Sequence, residues 1–261
     1  MDRQVVLHWF WTGFFAVFGA YLLMWARNFA GPQAANCHIR VASPDADTAN
    51  ERIESAVTRR EAAEGRPPRL GLWLGFWSLL LAAVAATGRV QPALLYALLC
   101  LGAAVAIGAA FLRLRNSQTT RVAVVAARSP EGVIPPVWLY GAAISALMLL
   151  IYAGSEQYRW PAAIVMASSL LTTAIAWRLT TLPALLSGVD VPAEQIIDER
   201  LRFHRSSLAL FYATVQPFVF VSQTAAKGGA AEQAAWYFAL AVWAAFAFWM
   251  IRRLFTKVQL A

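Results

Sequence analysis

The chain has 261 residues, of which 59% are hydrophobic and only 14% are charged, whereas a soluble domain typically carries about 25% charged residues. The apolar residues form long blocks with the charges between them, a pattern that a bilayer imposes and that excludes an ordinary water-soluble domain. The formal net charge of +8 does not indicate nucleic-acid binding, because the basic residues lie at the ends of apolar blocks and form no soluble aromatic-bearing surface.

Seven apolar segments are long enough to cross a bilayer. None contains Asp, Glu, Lys or Arg, as expected when a charge at mid-membrane costs about 2.5–3.5 kcal/mol. Because backbone groups in lipid must be satisfied within their own segment, each is predicted to be a helix. The fold class is therefore all-α, a polytopic transmembrane helix bundle that forms one domain over 1–261. The predicted spans are residues 5–26, 70–87, 91–112, 136–153, 160–177, 206–223 and 234–251.

The first segment, 5–26, is predicted to be a retained helix, because its apolar run is longer than the core of a signal peptide. His8 is the one residue of the Asp, Glu, Lys, Arg or His type within any predicted span. An imidazole in a membrane is a hypothesis for a haem or pigment ligand. Its place near the start of the span, beside Trp9 and Trp11, favours a residue of the membrane interface instead. No cofactor is strongly implied.

Basic residues mark one side of this arrangement. The loops 27–69 and 113–135, the segment 178–205 and the tail after residue 251 hold 18 of the 22 Lys and Arg residues. Because excess Lys and Arg mark the cytoplasmic side, the N-terminus is predicted to lie outside and the C-terminus inside. With 20 Arg and 2 Lys the composition hints at a GC-rich genome, so the predicted location is the cytoplasmic (inner) membrane of a bacterium.

The cytoplasmic loop 27–69 contains a charged segment, 45–64, that predicts a short helix. Its apolar positions, chiefly Ile53 and Ala56, are few, so little burial is expected. A solvated helix is favoured over one that lies against the membrane or a partner.

A juxtamembrane helix is predicted over 190–205, leading into the sixth span. It is amphipathic, so it either lies in the membrane interface or simply extends the span. Asp198 and Arg202 have the spacing of an i, i+4 ion pair.

Gln216 and Pro217 fall midway through the sixth span. Proline frees a carbonyl one turn earlier and kinks a helix, and Gln216 adds a polar group at depth. Broken helices of this kind line transport sites. The alternative is a structural kink whose freed groups find partners on a neighbouring helix. The expected donors are hydroxyls of the fifth span: Ser168, Ser169, Thr172 and Thr173.

Small residues four apart, in pairs that include Gly75 and Gly102, predict close helix contacts. Prolines open the hairpins 67–113 and 135–178, either because proline suits a first helical turn or because the two hairpins are copies.

Three classes of function remain open. The sequence contains no GxxxxGK[ST], HExxH or GxSxG motif and no Lys within a span for a retinal Schiff base, so a non-catalytic role is favoured over an enzyme. The favoured hypothesis is a subunit or assembly/accessory factor of a larger membrane complex, with lipid and other membrane subunits as partners. A permease for a small neutral or lipophilic solute, using Gln216 and Pro217, is the alternative. A haem- or pigment-binding protein using His8 is the second alternative.

Overall fold

A computed structural model of the chain describes residues 9–10, 12–17, 19–20, 23, 51–59, 70–116, 133–181, 189–225 and 229–254. Within these residues the backbone is helical apart from short turns, and no strand occurs in them. The prediction of an all-α fold is confirmed.

Six helices follow one another from Leu70 onward, and the described residues between 9 and 23 and those of 51–59 are also helical. The six helices are α1 (Leu70–Ala86), α2 (Pro92–Asn116), α3 (Pro136–Leu147), α4 (Arg159–Thr181), α5 (Val191–Ala225) and α6 (Ala230–Leu254). A 3₁₀ segment, Met148–Tyr152, continues α3.

Two prolines begin helices as the sequence predicts, and the structure adds a glycine that turns the chain between two helices. Pro92 and Pro136 are the first residues of α2 and α3, where the missing N–H is not needed. Gly88 turns the chain between α1 and α2 with φ 68°, a conformation that a residue with a Cβ rarely adopts.

Three helices are long and apolar enough to cross a membrane, and they lie in α2, α4 and α6. The apolar helices Leu72–Ala86 and Pro136–Tyr152 are shorter. These helices indicate a membrane protein. The count of seven spans and their orientation stay predictions.

Two apolar clusters show that successive helices run in alternating directions. The first cluster contains the end of α1 and the start of α2. It also contains the end of the 3₁₀ segment after α3, the starts of α4 and α6, and the end of α5. The second joins the end of α2 to the start of α3, and the ends of α4 and α6 to the middle of α5. From α2 onward, each helix therefore runs from one cluster toward the other.

The helix α5 is the longest, with 35 residues. At 1.5 Å per residue it is about 52 Å long, whereas the hydrocarbon core of a bilayer is about 30 Å thick. It packs against α4 and α6 and also contacts α2 and α3. Residues 191–225 form one helix, so the predicted juxtamembrane helix 190–205 continues without a break into the segment predicted to be the sixth span.

Glycines permit two close contacts around α1. A Cβ on Gly75 would lie 3.1 Å from the carbonyl oxygen of Gly19, so the N-terminal helical residues and α1 cross backbone to backbone there. At Gly102 the neighbour is a side chain: the indole of Trp77 fills the space and donates its N–H to the carbonyl of Leu98 over 2.9 Å. The close contacts predicted at Gly75 and Gly102 both exist, but the second accommodates a ring.

The outside of the bundle carries large exposed apolar side chains, as lipid contact requires. The helix α6 presents most of its surface outward, since 17% of its span window is buried against 44% for α2 and for α4. The exposed aromatic residues include Trp9, Trp73, Trp160, Trp177, Tyr237 and Phe248.

Candidate functional site

Pro217 lies inside α5 and has no N–H to give to the carbonyl of Ala213, one turn earlier. The hydroxyl of Ser169, on α4, donates to that oxygen over 2.6 Å. Ser169 and Ala213 are both fully buried, so water has no access to this carbonyl. A neighbouring helix thus satisfies the group that the proline frees, as the structural-kink interpretation expects.

Ser169 is the member of the predicted hydroxyl set that reaches another helix. Ser168 donates to the carbonyl of Ile164 over 2.8 Å, within α4. Thr172 and Thr173 likewise donate to carbonyls one turn earlier in α4. Such back-bonding is the ordinary behaviour of helical hydroxyls, so Ser169 is the exception within the set.

A second hydroxyl reaches the same turn of α5 from α2. Tyr96 donates its O–H to the main-chain oxygen of Gln216 over 3.1 Å, and both residues are buried. Three helices therefore meet at one place by hydrogen bonds between side chain and main chain. We call Tyr96, Ser169, Ala213, Gln216 and Pro217 the polar junction.

The carboxamide of Gln216 is the chemically unusual group of the polar junction. The residue is 2% exposed, and neither its oxygen nor its nitrogen has a hydrogen-bond partner among the described residues. A carboxamide offers two donors and two lone pairs, and leaving it unpaired in a buried place costs about 1–3 kcal/mol. The structure shows that this polar side chain is buried among the helices, whereas its place midway through a membrane span stays a prediction.

His8, the predicted haem or pigment ligand, lies outside the described residues. Cys100 is a buried free cysteine on α2, one turn after Tyr96. Within the described ranges, no three His, Cys, Asp or Glu side chains form a group suited to a metal ion.

A second site of interest lies at the start of α5, where the 51–59 helix packs against it. Ile53 and Ala56 are 6% and 1% exposed and contact an apolar face of α5. That face is made by Ala193, Ile197 and Leu201. The expectation that the charged helix of the 27–69 loop stays solvated is therefore wrong for residues 51–59. We call this helix and the start of α5 that it covers the juxtamembrane clasp.

Ion pairs flank the apolar contact of the juxtamembrane clasp. Arg52 donates from Nε and Nη2 to the two carboxylate oxygens of Asp190, over 2.8 and 2.9 Å. This hydrogen bonding holds the pKa of Asp190 below its ordinary value of 3.8. Arg59 lies 3.8 Å from a carboxylate oxygen of Glu194. A bidentate Arg–carboxylate pair fixes geometry as well as charge, so the 51–59 helix has a defined register on α5.

The predicted i, i+4 pair is present on α5. Arg202 Nε lies 2.7 Å from Asp198 Oδ2, and the two residues are 8% and 2% exposed. The burial of Asp198 was not foreseen, because the sequence predicted only its spacing from Arg202.

Comparisons with known proteins yield no relative: no protein-family model, no curated protein sequence and no solved structure matches the chain.

Proposed function

We propose that this chain is a multi-pass protein of a bacterial cytoplasmic (inner) membrane, with about seven spans, its N-terminus outside and its C-terminus inside. We propose further that it acts as a non-catalytic subunit or assembly/accessory factor of a larger membrane complex. The distribution of 18 basic residues on one side and 4 on the other supports the orientation. The alternating directions of the described helices fit it.

The observation that supports an accessory role is the juxtamembrane clasp. The buried side chains of residues 51–59, Ile53 and Ala56, both pack against α5, so the position of these residues depends on docking to α5. The chain thus holds a folded, charged element against the start of α5, the longest of the six helices named above. Glu51 and Glu54 stay exposed on this element and are available to another subunit. A fixed polar surface next to the membrane suits assembly with a partner.

A charge-swap experiment on the full-length protein tests this proposal. Arg52→Asp or Asp190→Arg places like charges opposite each other and undocks the 51–59 helix, whereas the double variant restores an opposite-charge pair. Partners retained after mild-detergent purification are measured by native mass spectrometry. We expect both single variants to lose them and the double variant to regain them.

The bundle itself provides the control for that experiment, because the clasp residues lie outside the two large apolar clusters. Its thermal unfolding should stay unchanged in all three variants. A native chain that purifies without partners, or single variants that keep them, would refute the accessory role.

The alternative function is a permease for a small neutral or lipophilic solute, and the unpaired carboxamide of Gln216 favours it. Its test is the swelling of proteoliposomes in glycerol and in urea. Gln216→Leu should abolish entry of the solute, while Gln233→Leu, at an exposed site on α6, should not. Equal swelling of the native chain and the Gln216→Leu variant would reject the permease.

Haem or pigment binding through His8 remains the second alternative. It predicts a visible absorption band in the purified protein that His8→Ala removes. A colourless native preparation would dismiss this alternative.

A further inference from the structure

The unpaired side chain of Gln216 lowers the stability of the arrangement that the structure shows. The main-chain oxygens of Gln216 and Ala213 both receive hydroxyl donors from other helices, yet the side chain in the same turn receives none. An apolar side chain of similar size would avoid the desolvation of an unpaired amide. The unpaired amide therefore makes the described arrangement less stable than one in which the carboxamide is hydrogen-bonded.

Pro217 stands where α5 passes from one apolar cluster to the other. Before it, Leu210 and Ala213 pack in the second cluster, and after it, Phe220 and Val221 pack in the first. Across this boundary the helix lacks one of its own hydrogen bonds, and Ser169 of α4 supplies the replacement. The two parts of α5 are thus joined more weakly than successive turns of a regular helix.

We propose that α5 bends at Pro217 between two positions and that Gln216 sets their balance. In the described position Tyr96 donates its hydroxyl to the main-chain oxygen of Gln216, and the carboxamide is unpaired. In the second position the part of α5 after Pro217 shifts, and the carboxamide of Gln216 forms a hydrogen bond with the hydroxyl of Tyr96. Both groups belong to residues already in contact, so a local movement is sufficient.

The juxtamembrane clasp sits on the same helix, before the bend. A bend at Pro217 therefore changes the position of the clasp relative to the first apolar cluster. In that cluster Phe220 packs edge-to-face on Tyr152, with ring centroids 5.5 Å apart. This inference concerns the bundle alone and is independent of which partner or solute the protein serves.

The test is a distance measurement between spin labels in lipid nanodiscs, on full-length chain with Cys37→Ser and Cys100→Ala. One pair of labels is placed at Ser222, after the bend, and at Glu156, in the turn before α4, both exposed. A control pair at His204 and Arg178 lies wholly on the other side of the bend. We expect two distances for the first pair and one for the control pair.

Two variants decide the outcome. Gln216→Leu should leave a single distance and raise the midpoint of thermal unfolding, because it removes the group that favours the second position. Tyr96→Phe should also leave a single distance, since the second position loses its partner, and it serves if the first variant fails to fold. A single distance in the native chain, two distances that persist in both variants, or a lower unfolding midpoint for Gln216→Leu would each overturn the proposal.

Discussion

The hydrogen bond from Ser169 to the carbonyl of Ala213 gives a prediction whose size follows from the structure. Ser169→Ala removes the hydroxyl that donates to the fully buried carbonyl of Ala213. No donor then remains, because Pro217 has no N–H. An unsatisfied buried group costs about 1–3 kcal/mol, whereas hydrogen bonds between membrane helices average about 0.6 kcal/mol with a maximum near 1.7. We therefore expect a loss of about 1 kcal/mol in the free energy of unfolding.

A double-mutant cycle isolates the cause. Pro217→Ala restores an N–H that bonds to the carbonyl of Ala213, so Ser169→Ala in that background should cost much less. Ser168→Ala is the matched control, because the hydroxyl of Ser168 serves its own helix. Reversible unfolding in mixed detergent and lipid micelles provides the free energies. Additive effects of Ser169→Ala and Pro217→Ala would refute the assignment of this hydrogen bond to the gap left by the proline.

Two further predictions concern packing and pH. Gly102→Ala should lower the free energy of unfolding by about 1–3 kcal/mol, because a Cβ there overlaps the indole of Trp77. Gly13→Ala is the control, since Gly13 has open space around it. An equal effect of the two variants in thermal unfolding would contradict this prediction. The pKa of Asp190 is lowered by Arg52, so docking of the 51–59 helix is fully supported above pH 3.8 and weakens as the pH falls through the lowered value. Hydrogen-exchange protection of 51–59 should follow that course, and Asp190→Asn should reduce the pH dependence, since the carboxylate of Glu194 beside Arg59 is still present. Protection that stays unchanged into strong acid would contradict this prediction.

Local sequence patterns were enough to predict the helices of the bundle. Pro92 and Pro136 were expected to open helices and do so, since the first turn needs no N–H from them. Gln216 and Pro217 were predicted to lie midway along one apolar helical segment, and both lie within α5. These features depend on one segment at a time, which is why a single sequence shows them.

Contacts between distant segments were beyond such patterns. The sequence offered four hydroxyls on α4 as partners for the kink, and the rotation of α4 about its axis, which no local pattern fixes, selects Ser169. Arg52 and Asp190 are 138 residues apart, so their pairing leaves no periodic signal. Ile53 and Ala56 seemed too few to bury a helix. They suffice because the face of α5 that receives them is itself apolar.

The polar junction also bears on the order in which the chain is made. Tyr96 and Ser169, which donate to α5, both precede it in the sequence, on α2 and α4. If α5 spans the membrane as the sequence predicts, α2 and α4 enter the bilayer before it during synthesis. When the proline-containing turn leaves the translocon, the two hydroxyls that it needs are already in the bilayer. Because lipid supplies no donors, this order means that the carbonyl of Ala213 finds a donor as soon as α5 inserts, even though the helix contains a proline.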